Sequence, residues 1–88
     1  MLDRRYSTKF KKDLKKYQYK KQVLQQLNDV LKLLLIKEKL PEKYLDHALS
    51  GNYKGYRECH LQPDTLLVYR TDDEILYLAR IGSHSDIF

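Results

Sequence analysis

Between about Lys20 and Lys39, seven aliphatic residues recur at helical spacing: Val23, Leu24, Leu27, Val30, Leu31, Leu34 and Leu35. Leu33 and Ile36 widen the stripe beyond one face. Such a helix needs cover from a sheet and from a second element, and an intramolecular core is the simplest source of both. Pro41 is its expected end, because proline disfavours helix at Leu40 and lacks a backbone donor. With 88 residues the chain can build one small domain around this helix. A hydrophobic content of 42% suits a folded globule, and no repeat or low-complexity tract is present.

The other elements follow in order. Leu2 to Tyr6 reads as a short strand. Ser7 or Thr8 can cap a first helix, in which Phe10, Leu14 and Tyr17 form one apolar stripe among lysines. Glu42 to Lys54 reads as a connection with a turn at Ser50-Gly51-Asn52. From Gly55 to Leu61 the residues alternate as in a strand. Tyr56, Glu58 and His60 fall on one face; Arg57, Cys59 and Leu61 fall on the other. A turn at Gln62-Pro63-Asp64-Thr65 leads to a strand from Leu66 to Arg70. Another turn, Thr71 to Glu74, leads to a last strand from Ile75 to Ile81, and Gly82 breaks it before the tail S-H-S-D-I-F. The order β-α-α-β-β-β predicts an α+β fold over residues 1–88, an antiparallel sheet with two N-terminal helices packed on one face.

Charge is unevenly placed within a net +5. Residues 1–43 hold 13 Lys/Arg against 5 Asp/Glu, whereas residues 44–88 hold 4 against 7. Lys9, Lys11, Lys12, Lys15 and Lys16 crowd the first helix, either as a solvated face or as a track for nucleic-acid phosphates. One cysteine, Cys59, rules out an internal disulfide and fits a reducing compartment. The N-terminus has no apolar run behind its charges, and the longest aliphatic run, Leu33 to Ile36, is too short to span a membrane. A cytoplasmic location with no membrane partner is the expectation.

The stretch from Asp46 to Asp64, D-H-A-L-S-G-N-Y-K-G-Y-R-E-C-H-L-Q-P-D, collects most of the side chains that can do chemistry. It holds His47, His60, Glu58 and Asp64, with Lys54 and Arg57 among them; His84 follows near the end. Histidine gives or takes protons near neutrality. RNA carries its own nucleophile, the 2′-hydroxyl. Cleavage of RNA therefore needs a base, an acid and cations that stabilise the charge on phosphorus, and no metal. His47, His60, His84, Glu58 and Asp64 are candidates for proton transfer; Arg57, Lys54 and Arg80 are candidates for phosphate stabilisation. Two histidines and an aspartate would also suit zinc, yet no compact metal-ligand spacing is present. Cys59 falls on the face with Leu61 and reads as core. Tyr53, Tyr56 and the terminal Phe88 can stack on bases or pack on the sheet.

The Asp46–Asp64 stretch, L-L-V-Y-R after it and R-I-G-S-H-S-D-I-F at the end resemble the YafQ family of bacterial toxins, within the RelE/ParE superfamily. The resemblance covers the second half with fixed spacing; the first half agrees in pattern. It implies a microbial RNase-like α+β fold and a ribosome-dependent mRNA interferase that cuts messages in the ribosomal A site. It also implies a cognate antitoxin of DinJ/RelB type. By position the family's histidines fall on His47, His60 and His84, its second acid on Asp64 and its terminal aromatic on Phe88. Its first acid, usually Asp, is Glu58 here. The resemblance gives His84 the role of general acid, Asp64 or Glu58 that of base or orienter, and His47 and His60 that of phosphate binding. The lysine-rich helices would then face ribosomal RNA. The alternative is a non-catalytic protein of the same fold, a ParE-like gyrase poison or a basic binding module, which has no need of three histidines beside acids.

Overall fold

A computed structural model describes residues 1–88. In chain order the elements are β1 (Asp3–Tyr6), α1 (Thr8–Leu14), α2 (Lys21–Leu35), β2 (His47–Ala48), β3 (Arg57–Gln62), β4 (Thr65–Thr71), β5 (Ile75–Gly82) and α3 (His84–Ile87). Short 3-10 turns at Lys15–Tyr17, Glu42–Tyr44 and Gly51–Tyr53 join them. Ser7 caps α1: its Oγ accepts from the Phe10 amide at 2.9 Å and donates to the Ala79 carbonyl at 2.7 Å. One capping residue thus starts a helix and ties it to β5.

Helix α2 stops earlier than the proline predicts. Its last residue is Leu35, and Lys37 adopts a positive φ of 61°. The Glu38 amide donates to the Leu33 carbonyl and the Lys37 amide to the Leu34 carbonyl, at 2.9 and 3.1 Å. This is a Schellman closure with lysine where glycine is usual. Pro41 comes after the stop and opens the next 3-10 turn.

The five strands form one sheet in the order β1-β5-β4-β3-β2. Antiparallel pairing holds for β2 to β5, as expected, but β1 runs parallel to β5, so the sheet is mixed. The parallel pair joins the two ends of the chain, a contact that residue alternation does not encode. Both long helices cover one face. Phe10, Tyr17, Val23, Leu27, Val30 and Leu34 meet Cys59, Leu61, Leu67, Tyr69, Leu76 and Leu78 in the main core. Burying each such aliphatic side chain contributes about 1.5–3 kcal/mol before entropy is counted. Leu66 and Val68 point to the other face, where Ile87, Tyr53 and Tyr56 meet them.

β1 ends at Tyr6, opposite Leu78, so the last residues of β5 form a sheet edge. A register shift between Val68 and Tyr69 leaves Ala79 as an extra residue in β5, and Arg80 pairs with Val68. The bulge bends the strand at this edge. Asp13 of α1 closes it, accepting from the Ile81 amide at 3.2 Å.

Candidate functional site

The face of the sheet away from the helices carries the histidines. His60 pairs across the ladder with Leu66 and Glu58 with Val68. Direct cross-strand partners share a face, so both lie beside the open-face apolar cluster. The segment read as a plain connection includes β2, where His47 pairs with Glu58. Glu58 is only 6% exposed, yet two imidazoles reach it. His60 Nε2 is 3.5 Å from its Oε1, and His47 Nε2 is 3.9 Å from its Oε2. The two rings are 6.4 Å apart, centroid to centroid. A buried carboxylate is costly without polar neighbours, and an imidazole approaches it on each of two sides.

The tautomer of His47 follows from its other nitrogen. Nδ1 lies 2.8 Å from the Leu45 carbonyl oxygen. A carbonyl only accepts, so Nδ1 carries the proton. In the neutral ring Nε2 would turn a lone pair toward Glu58. The imidazolium form instead turns an N–H toward it, and is the form that also attracts a phosphate.

His84 arrives by a separate route. The tail after Gly82 is the short helix α3, started by Ser83, whose Oγ accepts from the Asp86 amide at 3.2 Å. The S-x-x-D spacing was the available signal for this helix. Ile87 is buried against Leu66 and Val68, which seats α3 on the same face as Glu58 and His60. Leu66 pairs with His60 on one side and with Gly82 on the other. Two strand spacings, roughly 10 Å, therefore separate His60 from the start of α3. Gly82 packs tightly there: a Cβ would come 3.4 Å from the Asp86 side chain. His84 is exposed and stacks at 5.0 Å on Phe88, which in turn meets Tyr53 at 5.6 Å. Phe88 thus rests between the His84 and Tyr53 rings and keeps 49% of its surface open.

The remaining predicted residues divide. Asp64 is exposed in the β3–β4 turn. It touches no histidine; it lines a cleft of ≈ 870 Å³ with Tyr17, Lys20, Lys21, Thr65 and Ser83, the residue before His84. Lys54 is exposed beside Tyr53. Arg57 does not join the histidines. It projects toward the helix side, where its Nε donates to both Asp46 oxygens at 3.3 Å and the Tyr69 hydroxyl donates to Asp46 at 2.6 Å. Partial burial opposes the Arg57 cation, but Asp46 and Tyr69 outweigh it and hold its pKa above the ordinary value.

Arg80 is held by Asp13 through bonds of 2.7 and 3.1 Å, and reaches the Asp86 carbonyl at 3.4 Å. The Asp13 bond keeps its pKa above the ordinary arginine value despite burial. Arg80 is thus near α3, but its charge is already met. Asp13 is a residue that reading for chemistry missed. Its signal was an acid three positions after Phe10, on the apolar side of a lysine-rich helix. Cys59 has no exposed surface, and burial, reinforced by Asp46 and Glu58, pushes its thiol to about 12. It is core, as expected. No three His, Cys, Asp or Glu side chains are grouped to hold a metal ion. No helix is long and apolar enough to cross a membrane. Lys9, Lys11, Lys12, Lys15 and Lys16 are all exposed on and after α1.

A family model described as a bacterial toxin of type II toxin–antitoxin system, YafQ, matches residues 2–88. This chain belongs to the YafQ family. The mRNA interferase toxin YafQ of Escherichia coli K12 is 37% identical over 87 residues, covering 98% of this chain and 95% of the relative. YafQ in the crystal structure of the E. coli DinJ–YafQ complex superposes with a TM-score of 0.88 at 36% identity, covering 100% of this chain and 99% of that one. A metal-bound toxin from Helicobacter pylori superposes with a TM-score of 0.90 at 44% identity over all of both chains. The YafQ fold is therefore present from end to end, with the histidines on its open sheet face.

Proposed function

We propose that this protein is the toxin of a type II toxin–antitoxin system and an endoribonuclease that cuts messenger RNA on the ribosome. One observation carries the reading: His47, Glu58 and His60 in one contact group, and His84 with Phe88 in a second, share the open face of the sheet. The E. coli relatives named mRNA interferase support it.

In the proposed reaction the substrate's 2′-oxygen attacks the adjacent phosphorus. A base takes its proton, the bond to the 5′-oxygen breaks, and an acid protonates that leaving oxygen. The products are a 2′,3′-cyclic phosphate and a 5′-hydroxyl, with all protons accounted for and no metal required. His84, exposed on α3, is the acid. Asp64, exposed and without an ion pair, is the base. His47 and His60 grip the phosphate, and buried Glu58 between them orients the two rings. Lys54 adds charge at the rim, and Phe88 stacks on a base. Arg80 and Arg57 are already paired with carboxylates and position the framework. The lysines of α1 contact ribosomal RNA. A DinJ/RelB-type antitoxin is the cognate partner, and action on ribosome-bound message places the toxin in the cytoplasm.

The test is mapping of 5′ ends in cellular mRNA after induction, comparing wild type with His84→Ala. Cuts at defined codon positions that vanish in the variant support the reading. Cuts that persist remove His84 from the mechanism. An intact message pool with broken DNA would indicate a gyrase poison instead. Cleavage on purified ribosomes that survives chelator supports the metal-free route; loss with chelator refutes it.

A further inference from the structure

The open face continues past the histidines. Tyr56, two residues before Glu58, packs with Tyr53 on the open-face cluster. Arg70 on β4 pairs directly with Tyr77 on β5, and Tyr77 pairs directly with Arg5 on β1. Leu76 and Leu78 point to the helices, so Tyr77 and its partners point away from them. The Arg70 guanidinium lies 4.0 Å from the Tyr77 ring centre and 5.7 Å from that of Tyr56. Tyr56 meets Tyr53 edge-on at 5.9 Å, and Tyr53 leads through Phe88 to His84. A continuous band of aromatic rings and guanidinium groups therefore runs from the proposed acid across three strands.

Neither cation in this band, Arg5 or Arg70, is in an ion pair. Asp72, the acid nearest to Arg70 in sequence, accepts from the Glu74 and Ile75 amides and attracts Arg70 only from beyond ion-pair distance. Arg5 is exposed, and Arg70 and Tyr77 are half-buried. A core role would bury these rings and pair these charges. A half-open guanidinium between two tyrosines suits nucleobase stacking, and its free charge suits phosphate.

We propose that this band is the track for single-stranded RNA flanking the scissile phosphate. Bases stack on Tyr56, Arg70 and Tyr77, and phosphates meet Arg5 and Arg70. The inference rests on the RNA-cleavage reading and extends it to the substrate beyond the cut. It explains why the chain places arginines, rather than the lysines of its basic half, on this face.

The experiment is a fluorescence-anisotropy titration with 2′-O-methyl RNA, which lacks the nucleophile and stays intact. A dinucleotide fills the histidine site alone, and a hexanucleotide also reaches the band. The expected result is about tenfold tighter binding of the longer RNA for each stacked base. The R5A/R70A double variant should lose most of that gain, and its salt dependence should flatten by about 0.7 in logarithmic slope per arginine removed. Arg70→Lys keeps charge without the planar group and should lose part of the gain at unchanged melting temperature. Equal affinity for both lengths, or a gain untouched by R5A/R70A, overturns the track. So does a double variant that binds RNA normally but loses its antitoxin. If the wild type fails to cut messages, the nuclease reading falls, and the length dependence still decides whether the band holds RNA.

Discussion

The two faces of β3 hold their charges in different ways. Toward the helices, Arg57 clasps Asp46 through contacts of 3.3 Å, and at the sheet edge Arg80 clasps Asp13 of α1 through bonds of 2.7 and 3.1 Å. Toward the open side, Glu58 stands 3.5 and 3.9 Å from two imidazoles, longer than a hydrogen bond. A two-bonded arginine is held in place and has its charge answered. Arg80 cannot turn to a phosphate without leaving the mostly buried Asp13 carboxylate bare. The histidines keep N–H groups to offer, and Glu58 beneath them fixes where the rings sit. Closed pairs build the frame, and open ones are available for chemistry.

The largest effect should come from the open face. His84→Ala is expected to lower message cleavage by about 10²- to 10⁴-fold, the usual contribution of a positioned proton donor. The melting temperature should not move, because the imidazole is exposed. Cleavage by ribosome-bound toxin and a thermal melt together check this. A variant that still cuts, or that unfolds, would erase the contrast between the faces.

Asp13→Ala tests the closed side. Removing one partner of a mostly buried ion pair typically costs about 3–5 kcal/mol, a large share of a small domain's stability. Here it also strands the Ile81 amide. Urea unfolding should show a sharply lowered midpoint, and a change below about 1 kcal/mol would mean the pair is not structural.

These cases show what the sequence could reveal. Helix α2, strands β3 to β5 and the shared face of Glu58 and His60 follow from spacing, which depends on near neighbours. The meeting of His47 with Glu58 needs β2, a two-residue strand too short to show a period. The parallel β1–β5 pair and the Asp13–Arg80 clasp join positions 67 or more residues apart. The bulge at Ala79 sends Arg80 to the sheet edge, and alternation alone could not place it. Arg57 lies on the face that alternation assigned, away from the histidines. Offering it as a phosphate ligand overlooked the acid eleven residues earlier, Asp46.

Alkaline pH probes the closed face through Cys59. Burial raises its thiol from 9.0 to about 12. The folded chain keeps a proton that the unfolded chain releases first, so stability is full below about pH 9 and falls as pH climbs toward 12. The loss approaches roughly 4 kcal/mol once both states are ionised. Tyr69, raised mainly by burial and the Asp46 bond, adds to it in the same direction. Unfolding curves from neutral pH to about pH 11 should show the decline, and Cys59→Ala should flatten part of it. An equal slope in the variant would show that the thiol is not the cause.

Glu58→Gln returns to the open face with a smaller change. The amide keeps the shape and removes the counter-charge for His47 and His60. Cleavage should fall by about 10- to 100-fold, because the two imidazoles lose the carboxylate that positions them. A purely packing role for Glu58 would lower stability and leave cleavage by the folded protein in place.

Arg57→Ala should do least, and that makes it the sharpest test of the division between faces. The side chain is 45% exposed, so its pair with Asp46 is screened by solvent and contributes at most about 1 kcal/mol. Asp46 retains the Tyr69 hydroxyl when the guanidinium is gone, so no buried carboxylate is abandoned. Message cleavage should stay within about twofold of wild type, since RNA on the histidine face does not meet this arginine. A loss of cleavage at unchanged stability would mean that RNA passes around the edge of β3. The two faces would then form one binding surface, and tight pairing would no longer mark a residue as frame.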